Sequence, residues 1–316
     1  MPAYFVAVCL RMLRAGRRTP PSRVSIAETH FFFDVVPVAV RRARHGSMAV
    51  AYVYHLVEES GRTPGLRSLV SIALERFSLA ILRRMGDLIF VDNDHTRDAL
   101  LQRGFTDEQL VMTANAYDPL LPLPPRAAAA DPAVVFCGRL VEAKGIWDVL
   151  EVAAVLRDRL PQARITMIGD GPLRGALEER LAADGLDNVD VLGFVSEEAK
   201  WRRLREATLF ISPSVEEGWG IAVGEALAAG VPTVVYDLPA YAHLGELPRR
   251  VPTGDSTSFA EAVVALLTDP SAIEAEGRRI AETNGALPQW SDVLADEVAA
   301  MEARLPEGPR SAGDTA

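Results

Sequence analysis

Cysteine is nearly missing: Cys9 and Cys137 are the only two in 316 residues. That excludes a disulfide framework and a cysteine-built zinc site. Long apolar runs are missing as well. The longest, Tyr4–Leu10 and Met48–Tyr54, have seven residues, whereas a membrane-spanning helix needs about 20. No basic residue precedes Tyr4, so the N-terminus does not read as a secretory signal and cytoplasmic residence is expected. Lysine is scarce: Lys144 and Lys200 stand against 31 arginines. The bias resembles one of nucleotide composition, and it makes the place of each lysine worth inspecting. What is present is ordinary: 49% hydrophobic and 24% charged residues exclude a disordered or collagen-like chain. The length suggests two domains.

Charge divides the chain. Residues 1–126 have a net charge of +4 and residues 127–316 one of −14, within a total of −10. Eight arginines in the first 45 residues oppose only Glu28 and Asp34. One reading is solvated arginines on a small domain; the other is an anionic acceptor or an anionic membrane surface. Arg11, Arg14, Arg17 and Arg18, beside Tyr4–Leu10, would make peripheral contact with a membrane carrying a lipid-linked acceptor. Nucleic acid is not expected, since no basic motif with interleaved aromatics occurs and the chain is acidic overall.

From about residue 133, short β-rich runs alternate with amphipathic helical stretches. Val134–Phe136, Ile165–Ile168, Val189–Leu192, Leu209–Ser212 and Thr233–Tyr236 read as strands. Ile146–Leu160, Leu173–Ala183, Glu197–Glu206 and Ile221–Ala229 read as helices. Repeated βα units imply a parallel sheet with its ligand crevice beyond the carboxyl ends of the strands. Earlier, strands are expected at Val24–Ala27, Ala49–Tyr54, Leu88–Val91 and Val111–Thr113. Helices are expected near Val35–Arg44, Leu69–Met85 and Thr96–Arg103. Pro119, Pro122, Pro124 and Pro125 followed by four alanines form a linker. Trp290–Arg304 reads as a last helix and the tail beyond Pro306 as disordered.

Two segments bear phosphate-binding chemistry. In Gly138-Arg139-Leu140 with Lys144-Gly145, between a strand and a helix, a planar fork and a point charge suit a diphosphate. A helix-start loop with two solvated cations remains the alternative. The second segment runs from Ser212 to Pro232 as strand, glycine-bearing loop, helix and glycine stop. Gly218 and Gly220 would let backbone N–H groups near the helix start face an anion. Glu217, ahead of the helix, and Glu225, about a turn inside it, could accept hydrogen bonds from sugar or ribose hydroxyls. Here the alternative is a dipole-compensating acid and a surface acid.

These segments, with Gly169-Asp170-Gly171-Pro172 and Leu192-Gly193-Phe194-Val195, resemble the nucleotide-sugar domain of family-4 glycosyltransferases over residues 130–236. The resemblance implies an α/β chain of GT-B fold, two Rossmann-like doubly wound parallel-sheet domains facing a cleft. The domains would be residues 1–126 on the acceptor side and 127–285 for the nucleotide sugar. A helix at 286–304 would cross back to the first domain, ahead of a tail at 305–316. It implies a retaining, metal-independent hexosyl transfer from a UDP-, GDP- or other nucleoside-diphosphate sugar to a glycan or lipid-linked acceptor, with no cofactor. Arg139 and Lys144 would bind the diphosphate with the amides of Gly218, Trp219, Gly220 and Ile221, Glu217 the sugar and Glu225 the ribose. Gly193, Phe194 and Val195 would lie along the base, next to Gly138 at the phosphates. His55, ending a strand, is similar to the family histidine that reaches the donor sugar. His30 would face the cleft, or else lie in the core or on the surface.

Members usually begin with a strand and a glycine-rich loop, often with Gly-Gly, and Gly-Gly occurs nowhere in this chain. The first domain is therefore expected to be truncated by about two βαβ units. An upstream start, a partner chain completing it, and a non-catalytic or partner-dependent nucleotide-sugar-binding subunit all remain open. Asp92-Asn93-Asp94 matches a metal-binding Asp-x-Asp pattern but precedes a helix, where Asp makes a good cap, and no metal site is expected. Gly169-x-Gly171-x3-Gly175 mimics a dinucleotide fingerprint at the second βα turn rather than the first, which argues against a dehydrogenase.

Overall fold

The computed structural model describes residues 22–56, 66–117, 131–283 and 287–305. The arginine-rich N-terminal segment, the proline linker and the tail lie outside the described residues. The chain divides into two compact units, one of residues up to Ala114 together with those from Ser291, the other Asn115–Trp290.

The first unit runs β1 (Val24–Ala27), α1 (Phe32–His45), β2 (Met48–Val53), α2 (Leu66–Met85), β3 (Leu88–Val91), α3 (Asp94–Gln102) and β4 (Leu110–Met112). The four strands are parallel and lie in sequence order, β1-β2-β3-β4. Apolar residues run on both faces of β2 and β3, as in a strand covered on both sides. Ala49, Ala51, Val53, Ile89 and Val91 meet the helical layer, and Leu79, Leu82 and Leu100 fill that core. Met48, Val50, Leu88 and Phe90 meet Ala300, Met301 and Leu305 on the other face. Those three belong to, or directly follow, α10 (Trp290–Glu302). Buried Glu297 of that helix accepts hydrogen bonds from Tyr52 Oη and Thr113 Oγ1, both at 2.6 Å. Burial and the neighbouring Glu297 hold the Tyr52 phenol well above its usual range.

The second unit has β5 (Ala133–Cys137), α4 (Ile146–Arg159), β6 (Arg164–Ile168), α5 (Arg174–Ala183), β7 (Val189–Gly193), α6 (Glu197–Glu206) and β8 (Leu209–Ser212). It continues with α7 (Ile221–Ala228), β9 (Thr233–Tyr236), β10 (Arg249–Val251), α8 (Ser256–Leu267) and α9 (Pro270–Thr283). Its six parallel strands are ordered β10-β9-β8-β5-β6-β7. The order reverses at β5. Helices α4, α5 and α8 pack on one face, through Val149, Leu156, Leu177, Phe259 and Val263. Helices α6 and α7 pack on the other, through Trp201, Leu204, Val223 and Leu227. The helices that follow β5 and β8 therefore lie on opposite faces, the arrangement in which open α/β sheets take ligands at the carboxyl ends of the strands.

Five expected elements have the expected bounds: β1, β3, β8, β9 and α6. The others shift at their ends, most of all α1 and α2, which each start three residues earlier than expected. At Asp92-Asn93-Asp94 the cap of α3 is Asn93, not an aspartate: Asn93 Oδ1 accepts from Thr96 N at 2.7 Å. Asn93 Nδ2 in turn donates to Asp92 Oδ1. Beyond Tyr236 the sequence reading assigned only the last helix, while the structure adds β10, α8 and α9.

Candidate active site on the second sheet

The loop after β5 is shaped by glycine. Gly145 closes a single 3-10 turn, Glu142–Lys144, in the left-handed conformation at φ +65° and starts α4. A Cβ there would overlap the carbonyl of Pro213 on the loop after β8. The two loops touch backbone to backbone, and Val215 N–H donates to Ala143 O at 3.0 Å. This contact sets Lys144 Nζ 2.7 Å from Glu217 Oε1, with the side chains 25% and 13% exposed. A charge-assisted pair so placed is largely withdrawn from water yet open to a ligand on one side. Arg139, on the same loop, is exposed.

The turn after β6 supports that loop from below. Gly138 N–H donates to Ile168 O, Leu140 N–H to Asp170 O and Leu173 N–H to Leu140 O, at 2.9, 3.0 and 3.2 Å. A side chain on Gly169 or Gly171 would collide with the backbone of Gly138 or Leu140. Close packing of two loops thus explains Gly169 and Gly171 of the apparent dinucleotide fingerprint, while Gly175 has open space around it.

After β8, Gly220 is left-handed at φ +81° and starts α7. A Cβ on it would enter the ring of Tyr241. Gly218 differs: it has open space around it and no left-handed φ, so the backbone freedom expected of it is not required there. The first turn of α7, with its partly exposed Ile221, leaves N–H groups outside the helical ladder. Trp219 lies flat on His243 (4.1 Å, 22°), and His243 Nε2 meets Tyr117 Oη at 2.6 Å. Tyr117 packs on α7 in the space that Gly224 leaves. Burial, with the positive charge of Arg250, lowers the His243 pKa against a backbone hydrogen bond at Ala240. The imidazole is therefore neutral near pH 7.

Glu225 is held separately. Lys200 of α6 reaches it, Nζ to Oε1 2.7 Å, and also bonds Glu197. Burial opposes the Lys200 charge, but Glu225 and Glu197 outweigh it and its pKa is raised. Burial raises Glu225 more than Lys200 lowers it. Cys137, ending β5, is pushed up to about 11 by burial and by the Glu225 charge, and stays a thiol. Gly193, left-handed at φ +71°, leads from β7 through Phe194 and Val195 to α6. Phe194 is 87% exposed, whereas Val195 is partly buried against the core cluster that holds α6 and α7.

The chain's two lysines thus hold the two glutamates of one motif. Sequence reasoning selected Lys144 and passed over Lys200, His243, Tyr117 and Tyr241. Only the rarity of lysine pointed to Lys200; the aromatic residues gave no pattern.

His55 lies in the first unit, exposed just past β2. Its ring stands edge-on to His30 at 6.1 Å and to Phe31 at 6.3 Å. His30 takes its core reading: its Nε2 is 2.8 Å from Glu75 Oε1, and both side chains are 2% exposed. Among the described residues, no three His, Cys, Asp or Glu side chains are grouped to hold a metal ion.

Residues 131–269 match the family described as glycosyl transferases group 1. The 2-deoxystreptamine N-acetyl-D-glucosaminyltransferase of Niallia circulans is 33% identical over 145 residues, which are 45% of this chain and 37% of that protein. The phosphatidyl-myo-inositol mannosyltransferase of Mycobacterium leprae is 34% identical over 142 residues, 42% of this chain and 37% of that protein. The matched stretch thus spans well under two thirds of these relatives. Among solved structures, Anabaena Alr3699/HepE in complex with UDP and glucose superposes with a TM-score of 0.72 at 15% identity, over 94% of this chain and 81% of that one. Residues 131–269 are thus similar to glycosyl transferases group 1, and the two parallel-sheet units have the GT-B fold.

Proposed function

We propose that the protein transfers a hexosyl group from a nucleoside-diphosphate sugar to a glycan or lipid-linked acceptor, with retention and without a metal ion, as family-4 enzymes do. One observation carries this reading: the Lys144–Glu217 pair joins the loops after the neighbouring strands β5 and β8, where the strand order reverses, and Lys200 of α6 holds Glu225 on the helix after β8. In the reaction, Arg139 and Lys144 bind the diphosphate together with the first-turn amides of α7, taking the charge a metal would otherwise neutralise. Glu217 holds the sugar hydroxyls and orients Lys144. Glu225, fixed through one oxygen by Lys200, offers the other to the ribose diol. Phe194 supplies an exposed ring for the base, and His55 orients the sugar. The bond from the anomeric carbon to the phosphate oxygen breaks while the acceptor oxygen bonds to that carbon on the same face. The acceptor proton passes to the departing phosphate.

The relatives act on unlike acceptors, an aminocyclitol and a phosphatidylinositol by their names, so the acceptor class rests on the arginine-rich first half. The test is a panel of nucleotide sugars and acceptors with product anomers assigned by NMR, run with and without EDTA. The reading expects α-linked product from an α-linked donor at an undiminished rate in EDTA. Inverted product or metal-dependent turnover would overturn it.

A further inference from the structure

The loop that carries Glu217 and leads into α7 rests on one short element. After β9 the chain makes a 3-10 turn, Pro239–Leu244. Tyr241 and Leu244 of this turn are buried in the core cluster that holds α6 and α7. Arg250 of β10 ties it from the other side: Nη2 donates to Tyr241 O at 2.7 Å and to Gly245 O at 2.9 Å. The turn is therefore fixed independently of the loop that lies on it.

Two consecutive residues of the loop sit on two residues of the turn. Gly220 lies over the Tyr241 ring, where a Cβ would come within 2.4 Å of it. Trp219 lies flat on His243, whose ring is in turn nearly parallel to that of Tyr117, at 6.2 Å and 16°. Tyr117 is 1% exposed and its hydroxyl meets His243 Nε2, so the imidazole is held at an edge as well as a face. Trp219 has no such bond. Its Nε1 is buried and makes no hydrogen bond among the described residues. A tilt of the indole would break no hydrogen bond, and the flat contact with His243 is what opposes it.

We propose that His243 is a positioning residue of the donor site. Through Trp219 it aims the N–H groups at the start of α7 and sets the place of Glu217, two residues earlier. This role rests on the reading of that site as the one for a nucleoside diphosphate. Donors that bind a diphosphate act through their aim, which is lost when the backbone carrying them shifts.

The test is calorimetric titration of the full chain with UDP, GDP and ADP, beside thermal unfolding, for two matched substitutions. His243→Leu and His243→Phe both lose the bond to Tyr117 and should lower the melting temperature alike. Only His243→Phe keeps a flat ring under Trp219. His243→Leu should weaken nucleotide binding about tenfold and His243→Phe about twofold or less. A merely structural role would make affinity follow the melting temperature, and the two variants would then lose it equally. His243→Ala, which also lacks the ring, replaces His243→Leu if that variant does not fold, with the same expected loss. Equal weakening in the ring-bearing and ringless variants, or none in the ringless one, would overturn the role of His243 and leave the donor reading standing. No binding of any of the three nucleotides by the unsubstituted chain would overturn the donor reading, and the role of His243 with it.

Discussion

The two sheets are built from the same unit, a strand followed by a helix, yet they differ in where they can hold a ligand. The four described strands of the first unit follow one another in order, so their connecting helices share one face, and α10 covers the other. In the second unit the order turns back at β5, and the helices after β5 and β8 go to opposite faces. Only the second arrangement sends the helices after two neighbouring strands to opposite faces of the sheet. Contact forces glycines on the loops after the second unit's strands, Gly145 against Pro213, Gly169 against Gly138 and Gly220 against Tyr241, whereas the first unit's Gly86, close to Leu82 O, precedes a strand. Strand order, more than any single residue, decides which unit offers a place for a ligand at its strand ends.

Substitutions sharpen this contrast. Lys144→Ala and Glu217→Ala should each reduce kcat/KM about 10²–10³-fold, with circular dichroism unchanged. His55→Ala, in the first unit, should reduce transfer about tenfold to a hundredfold while leaving donor affinity as it was. Equal loss of donor affinity in His55→Ala and Lys144→Ala would erase the distinction between the units.

Two left-handed glycines make a matched pair for stability. Gly46, after α1, has open space around it, whereas Gly145 faces the Pro213 backbone. Gly46→Ala should cost about 1–2 kcal/mol from conformation alone. Gly145→Ala adds overpacking of about 1–3 kcal/mol to that, and should separate the loops that join Lys144 to Glu217. Urea unfolding measures both; equal losses would contradict the packing account.

The smallest effect expected is one of pH. The His243 pKa in the folded state lies below its ordinary 6.5, so below that pH the unfolded chain binds more protons than the folded one. The contribution is present above pH 6.5 and is lost as the pH falls through the lowered value. Melting temperatures should therefore drop on acidification, and His243→Gln should remove part of the slope. An unchanged slope would mean that His243 is not the group responsible.

Much of the fold could be read from local pattern. Leu209–Ser212 and Thr233–Tyr236 are short, apolar and bounded by turn residues, and Glu197–Glu206 carries its apolar residues at helical spacing. The strand Arg249–Val251 escaped because it has three residues, two of them arginine, and lies at the edge of its sheet. Starts of α1 and α2 were placed late because Phe32 and Leu66 precede the clear periodicity. In the site, Lys144 and Glu217 were legible because each belongs to a loop motif. Lys200 and His243 were not, since their partners Glu225 and Tyr117 are 25 and 126 residues away and only packing brings them together.

The most direct measurement is calorimetric titration of the full chain with UDP, GDP and ADP, repeated with Lys144→Ala and Glu225→Ala. The account predicts saturable binding of at least one nucleotide at one site, weakened about tenfold or more by either substitution. No binding of any of them, or binding that both variants retain in full, would contradict it.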